Sequence, residues 1–233
     1  MTVDLDFTII LDWWPQLLGG FKLTLVIVTG AILLGIPLGC LLAFGRQSRF
    51  KTVSILSTAF IEVFRNTPFM IQVFLLFYVL PFYGIRIPAN IVGIIGLALF
   101  SSVYYAEIIR AGIDSIPRGQ MESARSVGMT YWQSMTNIIL PQTMRIILPP
   151  IGNQTLSLVK ESAILSTITV QELTMSALIG QGQTFRPFEV FIVITLLYWG
   201  LNELIATGLR VYERRLEQRS LNRVDSTTPV AIK

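Results

Sequence analysis

The sequence contains no histidine and a single cysteine, Cys40. Histidine is the commonest general base and a frequent metal ligand, so its absence disfavours His-dependent catalytic triads and zinc sites. One cysteine cannot form an intramolecular disulfide. Charged residues are also scarce, at 14% of 233 residues, whereas 52% are hydrophobic. A soluble domain with a large water-facing surface would not carry this balance, so we expect the protein to lie in a lipid bilayer.

Five apolar stretches are long enough to cross a bilayer, which takes about 20 mostly apolar residues. The sequence therefore predicts an all-α integral membrane protein with about five transmembrane helices, in one transmembrane domain covering residues 1–233. The spans are predicted at about 20–44, 55–80, 89–109, 138–165 and 188–209.

Small residues and prolines give two of these spans a particular character. In the first span, Gly35, Pro37 and Gly39 form a small-residue face that suits close helix packing. The fourth span contains Pro149 and Pro150 and is predicted to be broken or kinked. A loop through Gly180 and Gly182 is predicted before the fifth span.

Basic residues collect on one side of the predicted spans, namely Arg46, Arg49 and Lys51 after the first, Arg110, Arg118 and Arg125 after the third, and Arg210 to Arg223 after the fifth. Short cytoplasmic loops carry an excess of lysine and arginine, so this side is predicted to be cytoplasmic. The N-terminus is then outside and the C-terminus is cytoplasmic. Membrane topology explains the net charge of +4, and no nucleic-acid partner is expected.

The longest polar interruption, 110–137, contains signals for helices. Gly128 is placed to end one short helix, and Thr130 with Gln133 has capping-box spacing for the start of another. We therefore predict two short helices joined by a bend, within a cytoplasmic loop at about 114–136.

The same loop carries Glu122, Ser123 and Ala124, then Gly128 after three residues, and Ile138-x-Leu140-Pro141 after nine more. This spacing resembles the cytoplasmic EAA loop of ABC importer permeases, with serine in place of one alanine. Further segments of the sequence resemble the polar amino acid branch of these permeases, which is the histidine, glutamine and arginine type. They are Glu62 to Pro68 with Gln72, Tyr105 to Glu107 with Arg110, Leu140 to Gln142, Pro149 to Gln154, and Lys160 to Ala163.

The resemblance implies the fold of a type I ABC importer permease in the bacterial cytoplasmic (inner) membrane. It also implies two ATPase subunits, a second permease copy or a homologous permease, and an extracytoplasmic amino acid-binding protein. The four coupling residues toward the ATPase would be Glu122, Ser123, Ala124 and Gly128. The chain has no G-x-x-x-x-G-K-[ST] phosphate loop, so ATP and Mg²⁺ are expected in the partner ATPase. The chain itself is predicted not to be an enzyme and not to hold a cofactor or a metal ion.

Charged residues in or near the spans form a second group of candidates, which comprises Glu62, Arg65, Glu107, Arg110 and Lys160. An unpaired ion at this depth is costly, so such residues usually face protein or a water-filled cavity. The spacing of Glu62 with Arg65, and of Glu107 with Arg110, also suits local ion pairs within one helix. Structural pairing and gating both remain open.

A candidate substrate pocket lies in the fourth span, where Gln154, Ser157 and Glu161 share one helix face. A zwitterionic amino acid suits a polar pocket near the middle of the bilayer. Glu161 could receive the ammonium group, and Thr67, beside Pro68, could help to meet the carboxylate, with Gln72 nearby. Structural polar packing is the alternative for each residue.

Two other functional classes need consideration. A channel subunit, or a secondary transporter driven by an ion gradient, would not require a loop that binds a motor. A membrane-embedded enzyme would require a nucleophile and base set that the sequence does not provide. The sequence identifies neither the transported amino acid nor whether two identical or two homologous permeases form the pore.

Overall fold

The structure, a computed structural model, describes residues 5–225, with side-chain surroundings up to residue 215. The ends of the predicted 1–233 domain, residues 1–4 and 226–233, lie outside the described residues. Within them, every regular element is helical, which confirms the predicted all-α class. The helices are α1 (Ile9–Arg46), α2 (Lys51–Arg65), α3 (Phe69–Phe74), α4 (Ala89–Asp114), α5 (Arg118–Ser126), α6 (Tyr131–Ser134), α7 (Leu140–Glu161), α8 (Leu173–Thr184) and α9 (Pro187–Asp225).

Short irregular helical turns extend three of these helices. A π turn (Leu75–Val79) and a 3₁₀ turn (Leu80–Tyr83) continue α3, and a π turn (Met135–Ile139) joins α6 to α7. A further 3₁₀ turn (Ser162–Ile168) continues α7. The helical run from α6 through α7 is therefore uninterrupted from Tyr131 to Ile168.

Three helices, α1, α4 and α9, are individually long and apolar enough to cross a membrane. Two bent pairs raise the number to five if each pair is one span. One pair is α2 with the segment Phe69–Tyr83, and the other is Tyr131–Ile168 with α8.

The second predicted span, 55–80, is not one straight helix. The axes of α2 and the segment Phe69–Tyr83 differ by 108°, and the break falls at Asn66–Pro68. Proline has no backbone N–H and disfavours the α conformation in the residue before it, so a helix tends to end there. If the two segments form one span, that span is sharply bent at this proline.

The fourth span bends at another place than predicted. Helix α7 runs continuously through Pro149 and Pro150, although a proline inside a helix removes one backbone hydrogen bond and crowds the carbonyl four residues earlier. The bend, of 51°, instead separates Ile168 from Leu173, where Thr169 has a positive φ of 63°. The prolines of α7 therefore do not divide the span.

The predicted loop through Gly180 and Gly182 is also wrong, because both residues lie within α8. A Cβ atom at Gly180 would lie 3.4 Å from the indole ring of Trp13 in α1. This glycine therefore permits a close approach between helices and does not mark a turn.

The small-residue face of α1 contacts α4. A Cβ atom at Gly39 would lie 2.7 Å from the Cβ of Tyr105 and 2.9 Å from the carbonyl oxygen of Ser102. A Cβ atom at Gly35 would clash with Ser101 Oγ and lie 3.2 Å from the carbonyl oxygen of Ala98. The predicted packing role of the two glycines is confirmed, whereas Pro37 is exposed and lies off this face.

Candidate functional site

Helix α5 ends in a turn that requires glycine. Gly128 has φ +89°, its N–H donates to the carbonyl of Arg125 at 3.0 Å, and the N–H of Met129 donates to the carbonyl of Ala124 at 3.2 Å. These two bonds form a Schellman motif, which satisfies carbonyl groups at a helix end and turns the chain. The sequence prediction that Gly128 closes this helix is confirmed.

Helix α6 begins at Tyr131, and its N-cap residue Thr130 forms a capping box. The N–H of Gln133 donates to Thr130 Oγ1 at 3.3 Å, and the N–H of Thr130 donates to Gln133 Oε1 at 2.8 Å. Both ends of the α5–α6 bend are thus fixed by local hydrogen bonds. The predicted pair of short helices with a bend between them is confirmed.

The α5–α6 segment, here residues 118–134, presents large apolar side chains to its surroundings. Val127 is 78% exposed and Trp132 is 69% exposed, and the ring of Tyr131 meets that of Trp132 edge to face at 5.6 Å. Exposed apolar groups in an otherwise polar segment indicate an interaction surface.

The four candidate coupling residues divide between the two sides of this segment. Glu122, Ser123 and Gly128 are exposed, whereas Ala124 is 7% exposed. Ala124 therefore faces the rest of the protein and seats α5, and the other three remain accessible to a partner.

A cluster of charges joins α1, α2 and α4. The carboxylate of Glu107, in α4, forms salt bridges with Arg46 of α1, with Arg65 of α2 at 3.4 Å and with Arg110 of α4 at 3.2 Å. Arg46 also lies 4.0 Å from Glu62, and Arg110 lies 2.8 Å from Asp114. We call these six residues the arginine–carboxylate cluster.

The cluster corrects one predicted pair and confirms the other. Glu107 pairs with Arg110 within α4, as the spacing predicts. Arg65 instead pairs with Glu107 of α4, and Glu62 lies near Arg46 of α1 and accepts a hydrogen bond from Asn66 Nδ2 at 3.3 Å. Arg46 was missed as a cluster member, since its position at the end of the first span indicated only topology. Lys160 of α7 is exposed.

The break between α2 and α3 has its own hydrogen bonds. Because Pro68 has no N–H, the carbonyl of Phe64 loses its helical donor. Gln72 Nε2 donates to this carbonyl at 2.8 Å and to Thr67 Oγ1 at 3.0 Å, and Thr67 Oγ1 donates to the carbonyl of Val63 at 2.9 Å. The side chains of Thr67 and Gln72 therefore satisfy the backbone carbonyl groups that the break leaves without helical donors.

A cavity of about 190 Å³ adjoins this break and is lined mainly by apolar side chains. Gln72 is 6% exposed, and its Oε1 atom has no hydrogen-bond partner among the described residues. Thr67 and Gln72 thus combine a clear structural role with a place on a cavity wall.

The other candidate pocket residues lie on α7. Gln154, Ser157 and Glu161 are all partly exposed, on one helix face, whereas their neighbours Leu158 and Val159 are buried in the main core. In the described part of the chain, no hydrogen bond or salt bridge joins these three residues to Thr67 or Gln72. Among the described residues, the two parts of the predicted pocket are thus not joined by a direct polar contact.

Comparison with known proteins identifies the family. Residues 35–218 match the family described as the binding-protein-dependent transport system inner membrane component. The chain is 37% identical over 214 residues to the probable glutamine ABC transporter permease protein GlnM of Bacillus subtilis (strain 168), covering 92% of this chain and 99% of GlnM. It is 34% identical over 205 residues to the probable amino-acid ABC transporter permease protein YckA of the same organism, covering 88% of this chain and 91% of YckA.

A solved structure supports the fold. A chain from the crystal structure of an amino acid ABC transporter with histidines superposes with a TM-score of 0.87 and 38% identity, covering 92% of this chain and 100% of that chain. The resemblance noted in the sequence, and the predicted type I importer permease fold, are confirmed. The protein is a multi-pass membrane protein that belongs to the family of inner membrane components of binding-protein-dependent transport systems.

Proposed function

We propose that the chain is the permease subunit of an ATP-driven ABC importer that translocates an amino acid delivered by an extracytoplasmic binding protein. The observation that carries this proposal is the α5–α6 segment. It is a rigid, bent pair of short helices with exposed apolar side chains, Val127 and Trp132, and it lies in a chain similar over almost its whole length to amino acid ABC permeases. An importer driven by a separate motor needs such a surface.

The proposed mechanism is alternating access. ATP and Mg²⁺ bind to partner ATPase subunits, which grip the α5–α6 segment around Glu122, Ser123 and Gly128. Movement of this segment passes to α7, because the helical run is continuous from Tyr131 to Ile168. From Trp132 to Gln154 this run is about 33 Å long at 1.5 Å per residue. The surface that contacts the ATPase and the candidate pocket thus lie on the same continuous helical run.

The full transporter contains further subunits in this proposal. Two ATPase subunits, a second copy of this chain or a homologous permease, and an extracytoplasmic amino acid-binding protein complete it. Lipid covers much of the remaining apolar surface, which includes Leu33, Leu41 and Leu204, all at least 68% exposed.

The competing function is a secondary transporter or channel subunit, which needs no motor. Purification of the chain from its native membrane in mild detergent separates the two possibilities. We expect an ATP-hydrolysing protein to co-purify, and Trp132→Ala to weaken its retention because the variant removes the largest exposed side chain of the contact. The matched control is Trp199→Ala, a similarly exposed tryptophan on α9. Purification of a transport-active chain with no ATPase would favour the secondary transporter.

The proposed orientation has the α5–α6 segment and the C-terminus in the cytoplasm and the N-terminus outside. It is supported by the positions of Arg46 and Arg110, which meet in one cluster at the ends of α1 and α4 that lead to the predicted cytoplasmic loops.

Cysteine labelling tests this orientation. In a Cys40→Ala background, Gln120→Cys is expected to resist a membrane-impermeant maleimide in intact cells and to react after permeabilisation. Arg86→Cys is the control, because Arg86 is also exposed but lies on the predicted outer side. Labelling of Gln120→Cys in sealed cells would reverse the topology.

We also propose that Gln154, Ser157 and Glu161 contact the transported amino acid. The support is their shared face at the border between the buried and exposed sides of α7. Glu161 supplies the negative charge that an α-ammonium group requires, and the neutral Gln154 leaves room for different substrate side chains. Thr67 and Gln72 border the site from the α2–α3 break, where their first role is to satisfy the backbone.

A further inference from the structure

Helix α2 is held to the rest of the protein by few buried contacts. Of its residues, all of which are described, Ile61 alone is buried. Ile61 packs with Ala43, Val103 and Ala106. Elements with few buried apolar contacts open at low free energy and are those that move in conformational changes.

Breaks lie at both ends of α2. A short connection, 47–50, separates it from α1, and the Asn66–Pro68 break separates it from α3 at an angle of 108°. Residues at the ends of helices commonly absorb the φ and ψ changes of a hinge. The hydrogen bond from Gln72 Nε2 to the carbonyl of Phe64, at 2.8 Å, holds α2 in its docked position at this break, and a swing of α2 opens it.

The arginine–carboxylate cluster is the main polar connection between α2 and its neighbours. Arg65 of α2 contacts Glu107 of α4, and Glu62 of α2 lies near Arg46 of α1. The side chains of Glu107 and Arg65 are 20% and 40% exposed. Partly hydrated pairs of this kind are individually weak, so water can replace them at little cost.

The charges of α2 have an alternative arrangement. Glu62 and Arg65 are three residues apart, a spacing at which opposite charges on one helix can pair. In the structure Arg65 is paired with Glu107 of α4, while Glu62 lies 4.0 Å from Arg46 of α1 and accepts a hydrogen bond from Asn66 Nδ2 at 3.3 Å. If α2 moved away, Glu62 could pair with Arg65, while Arg46 could remain with Glu107. An exchange of partners therefore gives α2 two states in which both Glu62 and Arg65 have an oppositely charged neighbour.

We propose that Glu107 is a positioning residue that latches α2 against α1 and α4, and that release of this latch lets α2 swing about the Asn66–Pro68 break. Docked α2 pairs Arg65 with Glu107, and released α2 pairs Arg65 with Glu62. The role of this movement in transport rests on the proposed function, whereas the two states of α2 do not depend on it.

Spin-label distances measure the two states directly. Labels are placed at Thr52→Cys in α2 and Ala111→Cys in α4, both exposed, in a Cys40→Ala background, with the protein in lipid nanodiscs together with any subunits that co-purify. Without nucleotide, the unmodified cluster is expected to give mainly one distance. Glu107→Gln is expected to raise the population of a second distance about fivefold or more, the lower end of typical coupling between two states.

Three further variants separate a latch from a simple structural contact. Arg65→Gln should produce the same shift, because it removes the same contact from α2. Asp114→Asn should leave the distances unchanged, because its partner Arg110 lies on the same helix. Adding Glu62→Gln to Glu107→Gln should reduce the population of the second distance, because it removes the partner of Arg65 in the released state.

An unchanged distance distribution in both Glu107→Gln and Arg65→Gln would overturn the latch. So would failure of Glu107→Gln to assemble while Arg65→Gln keeps the original distance, since Glu107 would then be purely structural. Failure of the proposed function is distinguishable, because the distances are measured without transport. A chain that shows both distances but no ATP-driven uptake would contradict the importer and leave the latch standing.

Discussion

Gly128→Leu is expected to lower ATP-coupled transport about 5- to 30-fold, whereas Gly128→Asn is expected to retain most of it. The reason is the backbone of the α5–α6 bend. Gly128 has φ +89°, and a Cβ atom there would meet no atom within 4 Å. A left-handed conformation costs an L-residue about 1–2 kcal/mol, which corresponds to a 5- to 30-fold change in population. Asparagine accepts this conformation more readily than leucine.

The measurement is substrate uptake and ATP hydrolysis by the reconstituted complex. Gly119→Leu is the matched control, because Gly119 is also open to its surroundings but has no positive φ, and it should preserve coupling. Normal import with normally coupled ATP hydrolysis by membrane-inserted Gly128→Leu would show that the bend at Gly128 does not couple the motor to the permease.

Glu161→Gln is expected to leave the complex assembled, with its basal ATPase activity, and to raise the substrate concentration needed for half-maximal uptake at least about tenfold. A hydrogen bond to a charged group contributes about 1.5–3 kcal/mol, which exceeds the 1.4 kcal/mol of a tenfold change in affinity. The glutamine keeps the shape of the side chain but removes the charge that would attract an ammonium group.

Uptake against substrate concentration in proteoliposomes checks this result, and Lys160→Gln is the control. Lys160 is adjacent and exposed, but it points about 100° away on the helix, so its loss should not change the half-maximal concentration. An unchanged concentration dependence in folded Glu161→Gln would remove Glu161 from the pocket. The site would then be sought at the α2–α3 break, beside Thr67 and Gln72.

Local signals allowed the α5–α6 segment to be predicted from the sequence. The capping box of Thr130 with Gln133 and the helix stop at Gly128 involve residues at most five positions apart, so the sequence window contains the whole interaction. The packing role of Gly35 and Gly39 was also visible, because small residues spaced along one face of an apolar helix have few other uses.

Long-range contacts account for what the sequence did not predict. The salt bridge between Arg65 and Glu107 joins α2 to α4, and these residues are far apart in the sequence. Spacing within one helix therefore suggested the wrong partner for Arg65. The sequence predicts a loop at Gly180 because glycine serves both turns and close helix contacts. Trp13, which decides between these two roles, lies far away in the sequence.

In the proposed mechanism, a separate ATPase drives amino acid import through this chain. The most direct measurement is uptake of radiolabelled amino acids by proteoliposomes that contain the chain, its co-purifying subunits and the amino acid-binding protein. We predict uptake that requires ATP on the side of the α5–α6 segment and the binding protein on the other side, and that persists when ionophores collapse ion gradients. Uptake that proceeds without ATP and stops when an ion gradient is collapsed would contradict the account.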